Sequence, residues 1–566
     1  MLYESSLEPS GKTSFEAPAR LFEAEEFLLP DLSFAGEGGA NPGAFATTPN
    51  GTYLYVAQAP ALGFGASIDT LMSGSKWSGL DTATERTVVT YSFMNAQSAF
   101  SYAGQSNFAA TLSAFGETDQ ALTRSLLTKI ASICNVEFVE VSDDASQCGV
   151  VRYGYSQQPN AQGYAGFAFF PSSNAVGGDV WIGSGQAAAT WDFYRPNLIL
   201  HETLHALGLK HPFDAGAVLS PDKDIIPNTV MSYSTVAGGT SGWMSAYPSE
   251  PMPIDIAALQ YLYGAAQYNT GDTTYDLSST EFQGFASIWD TAGNDTIDAS
   301  RLTHPITLDL REGVLSDVGN SVSAMAKSGA ATIKTTYTNT LSISSGATLE
   351  NATGTAYADT ISGNDIANAI GGGAGNDRLE GRGGNDRLDG NAGLDTAVIN
   401  APHTGYAINK SGASYIVSGG TTGTDTLTSV ERLAFNDTKI ALDLDGEAGT
   451  VAKIIGIVFG ADGVHNAAWV GIGLAALDGG MSTEALLNAA LDTRLGASHT
   501  SQDTVALILQ HMTGMEAAPD AVAKYSKLID DGNFTETDFG LATMDHFLTL
   551  AQIDFVGLSA HGIEYA

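Results

Sequence analysis

Between about residue 46 and residue 270 the apolar positions switch between two periods. Leu122, Leu126, Leu127, Ile130 and Ile133 recur at three- and four-residue steps, the period of one helix face. The short alternating runs VEFVEV (136–141) and VRYGY (151–155) predict strands. A further strand is expected from Tyr164 to Phe170, stopped by Pro171. A second helix is expected from about Pro196 to Leu207, ending at Gly208, where glycine can take the left-handed conformation that closes a helix. A third, Ile254 to Tyr263, also ends in glycine. The mixture predicts a domain of α and β elements over 46–270. Residues 1–45 are polar and punctuated by Gly and Pro, and are expected to be an extension or propeptide.

From about 271 to 440 the chain is rich in Gly, Asp, Asn and Thr, and it repeats. Steps of nine from Gly354 give GTAYADTIS, GNDIANAIG, GGAGNDRLE, GRGGNDRLD and GNAGLDTAV, in frame through Val398. The sixth position holds Asp359, Asn368, Asp377, Asp386 and Asp395. This is the calcium-binding nonapeptide pattern, which winds a parallel β-roll whose turns two repeats apart face each other across an ion. Asp359, Asp377, Asp386 and Asp395 are the expected carboxylate ligands, and Gly373, Gly375, Gly384 and Gly393 make the turns that present carbonyls. Ile361, Leu379 and Leu388 are expected inside. Beyond about 451 the repeat glycines give way to amphipathic segments such as 482–495 and 503–515, a separate helical domain over 451–566. Its most apolar stretch, Val451 to Leu477, is interrupted by Asp462, His465 and Asn466, which makes it packed helices rather than a membrane span.

Charge adds a constraint. The 566 residues carry 62 Asp and Glu against 24 Lys and Arg, a formal net charge of −38. Such a field repels nucleic acid and anionic membrane and suits a chain that binds hard cations. Two cysteines, Cys134 and Cys148, are too few for a disulfide framework; one disulfide or two buried thiols both remain open. The N-terminal residues show neither a basic start nor an apolar run, so export is expected to use something other than an N-terminal signal.

The chemistry is concentrated in HETLHALGLKH, His201 to His211. Residues four apart lie one helical turn apart on one face, so His201 and His205 can aim imidazole nitrogens at one ion. Gly208 turns the chain back so that His211 supplies a third. Three neutral histidines leave one position open, as a catalytic zinc requires. Glu202, turned aside from the metal, is placed to accept a proton from the activated water and pass it to the leaving amine.

This segment matches the metzincin metalloprotease signature, and VMSY (230–233) matches the associated Met-turn. The chain is most similar to the serralysin branch, through His211–Pro212, the Tyr of VMSY, GGDVWIG before the zinc helix, DIAALQYLYG after it, SIWDTAGNDTID (287–298) and the Gly-Asp repeats. The resemblance covers roughly 65–440. It implies an α+β metzincin-type catalytic domain, an all-β parallel β-roll and, as a departure from the usual members, an α-helical C-terminal domain. It implies one catalytic zinc and several structural calcium ions. Met231 would floor the zinc, and Tyr233 would approach the metal and then swing away to help stabilise the oxyanion. Tyr164, Ala165, Gly166, Phe167 and Ala168 would form the cleft's upper rim, pairing with substrate backbone. Leu204 stands where the family usually has glycine. By resemblance the protein is secreted by a type I secretion apparatus and cleaves extracellular proteins or peptides. The helical domain would carry the secretion signal, anchor the protein at the cell surface or bind a partner there. The rival reading is a surface-layer or adhesive calcium-binding protein with an incidental or latent peptidase.

Overall fold

A computed structural model of the chain describes residues 55–58, 67–81, 84–100, 106–161, 163–172, 176–187, 193–214, 216–420 and 422–566. The expected propeptide, 1–45, lies outside the described residues. The chain divides into two units. One comprises residues up to 270 together with 280–292 and 320–347; the other comprises 271–279, 293–319 and 348–566.

In the first unit strand β1 (Arg86–Phe93) pairs in parallel with both β2 (Val136–Glu140) and β3 (Val151–Ser156). Helix α1 (Glu117–Ile133) precedes β2 and buries Leu126, Leu127, Ile130 and Ile133 of the stripe that the sequence period predicts, with Leu122 half-buried against the core. Strand β4 (Gly166–Ala168) is antiparallel to β5 (Asp179–Gly183), which is parallel to β3. The sheet order is therefore Leu80–Asp81, β1, β3, β5, β4, with β4 at an edge. The strand expected from Tyr164 to Phe170 is shorter than its pattern. The Tyr164 amide donates to Pro159 O in a turn; the strand proper is Gly166–Ala168, flanked by Ala165 O, which accepts from Gly183 N, and Phe169 N, which donates to Asp179 O.

Helix α2 (Arg195–Ala206) starts with Pro196 in its first turn, where a missing N–H costs nothing. Every side chain from Asn197 to Ala206 is buried. Leu198, Ile199, Leu200 and Leu204 each contribute about 1.5–3 kcal/mol by that burial, which seats the helix firmly. The helix ends at Gly208, whose φ of +107° is left-handed and whose absent Cβ would stand 2.3 Å from Ser75 O. Leu204 is fully buried within this core. Helix α3 (Pro253–Tyr263) follows and stops at Gly264, φ +83°. Cys134 and Cys148 are both buried and are not joined by a disulfide.

In the second unit short parallel strands stack into two faces. One runs Thr274–Asp276, Thr296–Asp298, Asn351–Thr353, Ala369–Ala374, Arg387–Ala392 and Gly423–Thr428. The other runs Thr307–Asp309, Thr360–Ser362, Arg378–Glu380, Thr396–Val398 and Arg432–Ala434. Thr360 stands opposite Arg378 and Ala369 opposite Arg387, so each rung pairs with the one two repeats on. Ile361, Ile370, Leu379 and Leu388 fill the interior between the faces.

Helix α4 (Glu447–Phe459) opens a helical layer continued by Ala467–Asp478, Thr483–Leu495, Ser501–Thr513, Pro519–Asp530 and Glu536–Met544. Val451, Ile454, Val458, Leu474, Leu487 and Ile508 belong to its core. Ile563–Tyr565 returns to pair with Lys439–Ala441 at the end of the second face. No described helix is long and apolar enough to cross a membrane.

Candidate metal centres

The helical spacing and the Gly208 turn bring His201, His205 and His211 together. One nitrogen of each lies within 4.8 Å of the other two, and all three rings are buried. Their other nitrogens are held. His201 Nδ1 bonds Val230 O at 2.7 Å, His205 Nδ1 bonds Leu209 O at 2.7 Å, and His211 Nδ1 bonds the Asp214 carboxylate at 3.1 Å. Each Nδ1 therefore carries the proton, and each Nε2 presents a lone pair inward. Nε2 of His205 and of His211 stand 3.0 Å apart. Converging lone pairs in a dry site fit a cation, and three imidazoles fit zinc. Burial first, then neighbouring imidazole, holds the rings neutral: His205 falls to about 3, His211 to about 4, and His201 well below the usual range.

Glu202 is buried on the same helix, and burial raises its carboxyl well above the ordinary value. It lies directly beneath β4, since a Cβ on Gly166 would stand 2.5 Å from Glu202 Oε1. A side chain at position 166 would have to displace the Glu202 carboxylate. Tyr233 O–H lies 2.7 Å from His211 Nε2. Phe213 stacks on the His211 ring at 5.0 Å and is 42% exposed, so one wall beside the histidines is aromatic and open. Met231 is fully buried in the same core. The structure thus brings His201, His205, His211, Glu202, Tyr233 and Gly166 into one neighbourhood.

Two acidic residues of this site carried no assignment in the sequence reading. Asp214, three residues past His211, orients that ring. Asp255, fully buried on α3, accepts from Val230 N and Met252 N at 2.8 and 3.0 Å and from the Thr229 hydroxyl. It fixes the loop whose Val230 carbonyl holds His201, and burial pushes its carboxyl up to about 7. Asp214→Ala is expected to weaken zinc binding about 10–100-fold, as loss of a ligand's hydrogen-bonding carboxylate does. Competition with a chromophoric chelator measures it, and unchanged affinity would contradict the assignment.

The roll presents a second donor set. Asp359, Asp377, Asp386 and Asp395 are all at most 2% exposed. One oxygen of each is engaged in a ladder: Ile306 N donates to Asp359, Asp359 N to Asp377, Asn368 N to Asp386, and Asp377 N to Asp395, each at 2.8 Å. The other oxygen, Oδ2, of Asp377, Asp386 and Asp395 is buried without a hydrogen-bond partner. These oxygens lie where Cβ atoms on Gly372, Gly381 and Gly390 would intrude, at 2.2–2.4 Å. Asn368, in the same place of its own repeat, is different. Its Oδ1 accepts from Asn364 N, while its Nδ2 donates to Leu349 O, Glu350 O and Asn364 Oδ1. The amide rung closes itself, and Asp359 Oδ2 accepts from Thr355 N; the Asp377, Asp386 and Asp395 rungs leave oxygens that suit a hard cation. Gly373, Gly375, Gly384 and Gly393 all have φ between +109° and +152°, as the turns require.

Residues 255–457 match the family described as Peptidase M10 serralysin C terminal. A serralysin of Proteus mirabilis is 31% identical over 329 residues, 51% of this chain and 62% of that protein. Metallopeptidase AprA of Pseudomonas marginalis is 31% identical over 319 residues, 49% of this chain and 60% of that one. Serralysin G of Dickeya chrysanthemi is 31% identical over 319 residues, with 51% and 62% covered. The chain therefore spans about three fifths of the length of these relatives. The chain is similar to the serralysins over about half its own length and carries a match to their C-terminal family at residues 255–457.

Proposed function

We propose that the protein is a secreted, calcium-stabilised zinc endopeptidase that hydrolyses peptide bonds of extracellular proteins. The observation that carries this reading is the convergence of three proton-free imidazole nitrogens beside a buried carboxylate, under an edge strand. His201, His205 and His211 would hold the zinc. When bound, the ion supplies Lewis acidity toward water and the peptide carbonyl. Substrate backbone adds to β4, whose outer edge has no neighbouring strand among the described residues, and this lays the scissile bond over Glu202. Glu202 takes the proton from the attacking water and delivers it to the leaving nitrogen, a task its raised proton affinity suits. Tyr233 O–H leaves His211 and donates to the developing oxyanion.

Two substitutions test this assignment of roles. Tyr233→Phe is expected to lower kcat about 10²-fold with little change in KM, since the donor acts on the transition state alone. Gly166→Ala drives a methyl group into Glu202 and is expected to cut kcat/KM about 10²-fold with the fold retained. Steady-state cleavage of a quenched fluorescent peptide reads both. Wild-type rates in either variant would remove that residue from the proposal.

The roll would take up calcium at the roughly 0.1–1 mM found outside cells, so it would fold after export and keep the peptidase inactive before it. Asp359, Asp377, Asp386 and Asp395 would supply carboxylates. A type I secretion apparatus and a cell-surface partner for the helical domain are the partners this reading entails.

A further inference from the structure

Helix α4 (Glu447–Phe459) is followed by α5 (Ala467–Asp478) and α6 (Thr483–Leu495). These helices carry more apolar surface than the core takes up. On α6, Leu487 and Leu491 lie in the core, while Leu486, Ala489 and Ala490 form a second stripe at helical spacing on the adjoining face. On α5, Val470 and Leu474 are buried, yet Trp469 is 41% and Ile472 68% exposed. Single exposed apolar side chains are ordinary, but these converge on one hollow.

The hollow lies between the three helices and has a volume of about 470 Å³, within the range of small-molecule sites. Val451, Ile455 and Phe459 of α4, Trp469 and Ile472 of α5, and Leu486 of α6 line it. The rings of Phe459 and Trp469 pack at 4.7 Å. A Cβ on Gly473 would stand 2.6 Å from Val451 Cγ1, so α5 crosses α4 closely there, and the small Ala489 and Ala490 leave the α6 wall recessed.

One charge lines the hollow. Arg494 stands four residues past Ala490 on the same face of α6, and the lining contains no acid although the chain has 62 Asp and Glu. Elsewhere in this acidic chain Arg152, Arg195 and Arg432 each sit against a carboxylate. Asp492, the nearest acid along α6, faces His499 at 3.6 Å, and Arg494 has no ion pair among the described residues. An apolar hollow with one unclaimed guanidinium is complementary to a molecule with one alkyl chain and one anionic head. It does not suit an anionic membrane surface, which a net charge of −38 repels.

We propose that this hollow binds the alkyl chain of a fatty-acid-type carboxylate whose head pairs with Arg494. The planar guanidinium matches a carboxylate in a two-bond fork, and the apolar walls take the chain out of water. None of these residues belongs to the histidine cluster or the aspartate rungs, so the site stands whether or not either metal reading does.

The test titrates the full chain in calcium with octanoate, hexanoate, octanol and octylammonium by isothermal titration calorimetry. The expected result is one octanoate per chain, bound about 15-fold more tightly than hexanoate, because each buried methylene strengthens binding about fourfold. Octanoate should also bind more tightly than octanol or octylammonium. Arg494→Gln is expected to weaken octanoate about fivefold and leave octanol unchanged. Ile472→Glu, which sets a like charge at the mouth, should abolish octanoate binding. Both residues are exposed, so the fold and peptide hydrolysis should be unchanged in either variant. The proposal is overturned by no octanoate binding at millimolar concentration, by octanoate affinity that Arg494→Gln leaves intact, or by octylammonium binding as tightly as octanoate. A dimer in sedimentation that Ile472→Glu disperses and octanoate does not would assign the face to a second copy of the chain, which also overturns it. If neither variant folds, the wild-type comparison of octanoate with octylammonium decides.

Discussion

Replacing Glu202 by Gln is expected to lower kcat/KM for peptide hydrolysis about 10²–10⁴-fold while zinc remains bound. The substitution preserves volume and leaves the three histidines untouched, so only the proton-accepting function is removed. Glu202 is 4% exposed, and its carboxyl faces β4 at Gly166. Burial raises its affinity for a proton, and no other carboxylate on α2 can substitute, because the helix from Arg195 to Ala206 contains no other acid. Zinc content by mass spectrometry and hydrolysis of a fluorogenic peptide read the two halves of the prediction. A variant with full zinc and more than about a tenth of wild-type activity would contradict a general-base role, given the magnitude such groups supply. The same variant separates the peptidase from the rival surface-structural reading: if the biological role survives unchanged in Glu202→Gln, peptidase activity is incidental.

Withdrawal of calcium is expected to unfold the roll. Asp377, Asp386 and Asp395 each leave a buried oxygen with no hydrogen-bond donor, and the stack places these carboxylates in successive turns. An uncompensated buried charge costs about 3–5 kcal/mol. Two or three such charges rival the whole stability of a domain, about 5–15 kcal/mol. Far-UV circular dichroism with and without a calcium chelator, on Glu202→Gln protein to prevent self-cleavage, should show strand signal lost and then restored on adding calcium. Acid should partly replace the ion. In the calcium-free fold burial pushes Asp377 up to about 6 and Asp386 and Asp395 up to about 7, above their unfolded values. The fold then binds more protons than the unfolded chain, so this contribution is fully present below about pH 4 and is lost as the pH rises through 6–7. A calcium-free roll whose melting temperature is unchanged between pH 5 and pH 8 would contradict the buried-carboxylate account.

What was legible in the sequence follows from how local each feature is. Helix α2 and the histidine cluster could be read because i, i+4 spacing and one helix-ending glycine determine the geometry without reference to the rest of the chain. The roll could be read because its step is constant from Gly354 to Val398. Asp214 and Asp255 could not. An isolated acid near a motif is ordinary, and their roles arise only when tertiary packing aims them at His211 Nδ1 and at the Val230 amide. The rim strand was over-read at Tyr164, because apolar and aromatic character marks a β-prone run but does not say where backbone groups are claimed by a turn. The roll's continuation past Val398 was hidden because the hairpin of Tyr406–Ser411 with Ser414–Gly419 breaks the nine-residue frame while leaving the ladder intact: it steps from Asp386 to Asp425, 39 residues, where the regular step is 18.

The most direct test of the central claim is hydrolysis of casein by the purified protein in millimolar calcium, before and after treatment with a zinc-selective chelator. The predicted result is hydrolysis that disappears with the chelator and returns when zinc alone is restored. A folded chain that binds one zinc ion at His201, His205 and His211 yet cleaves no protein or peptide would contradict it.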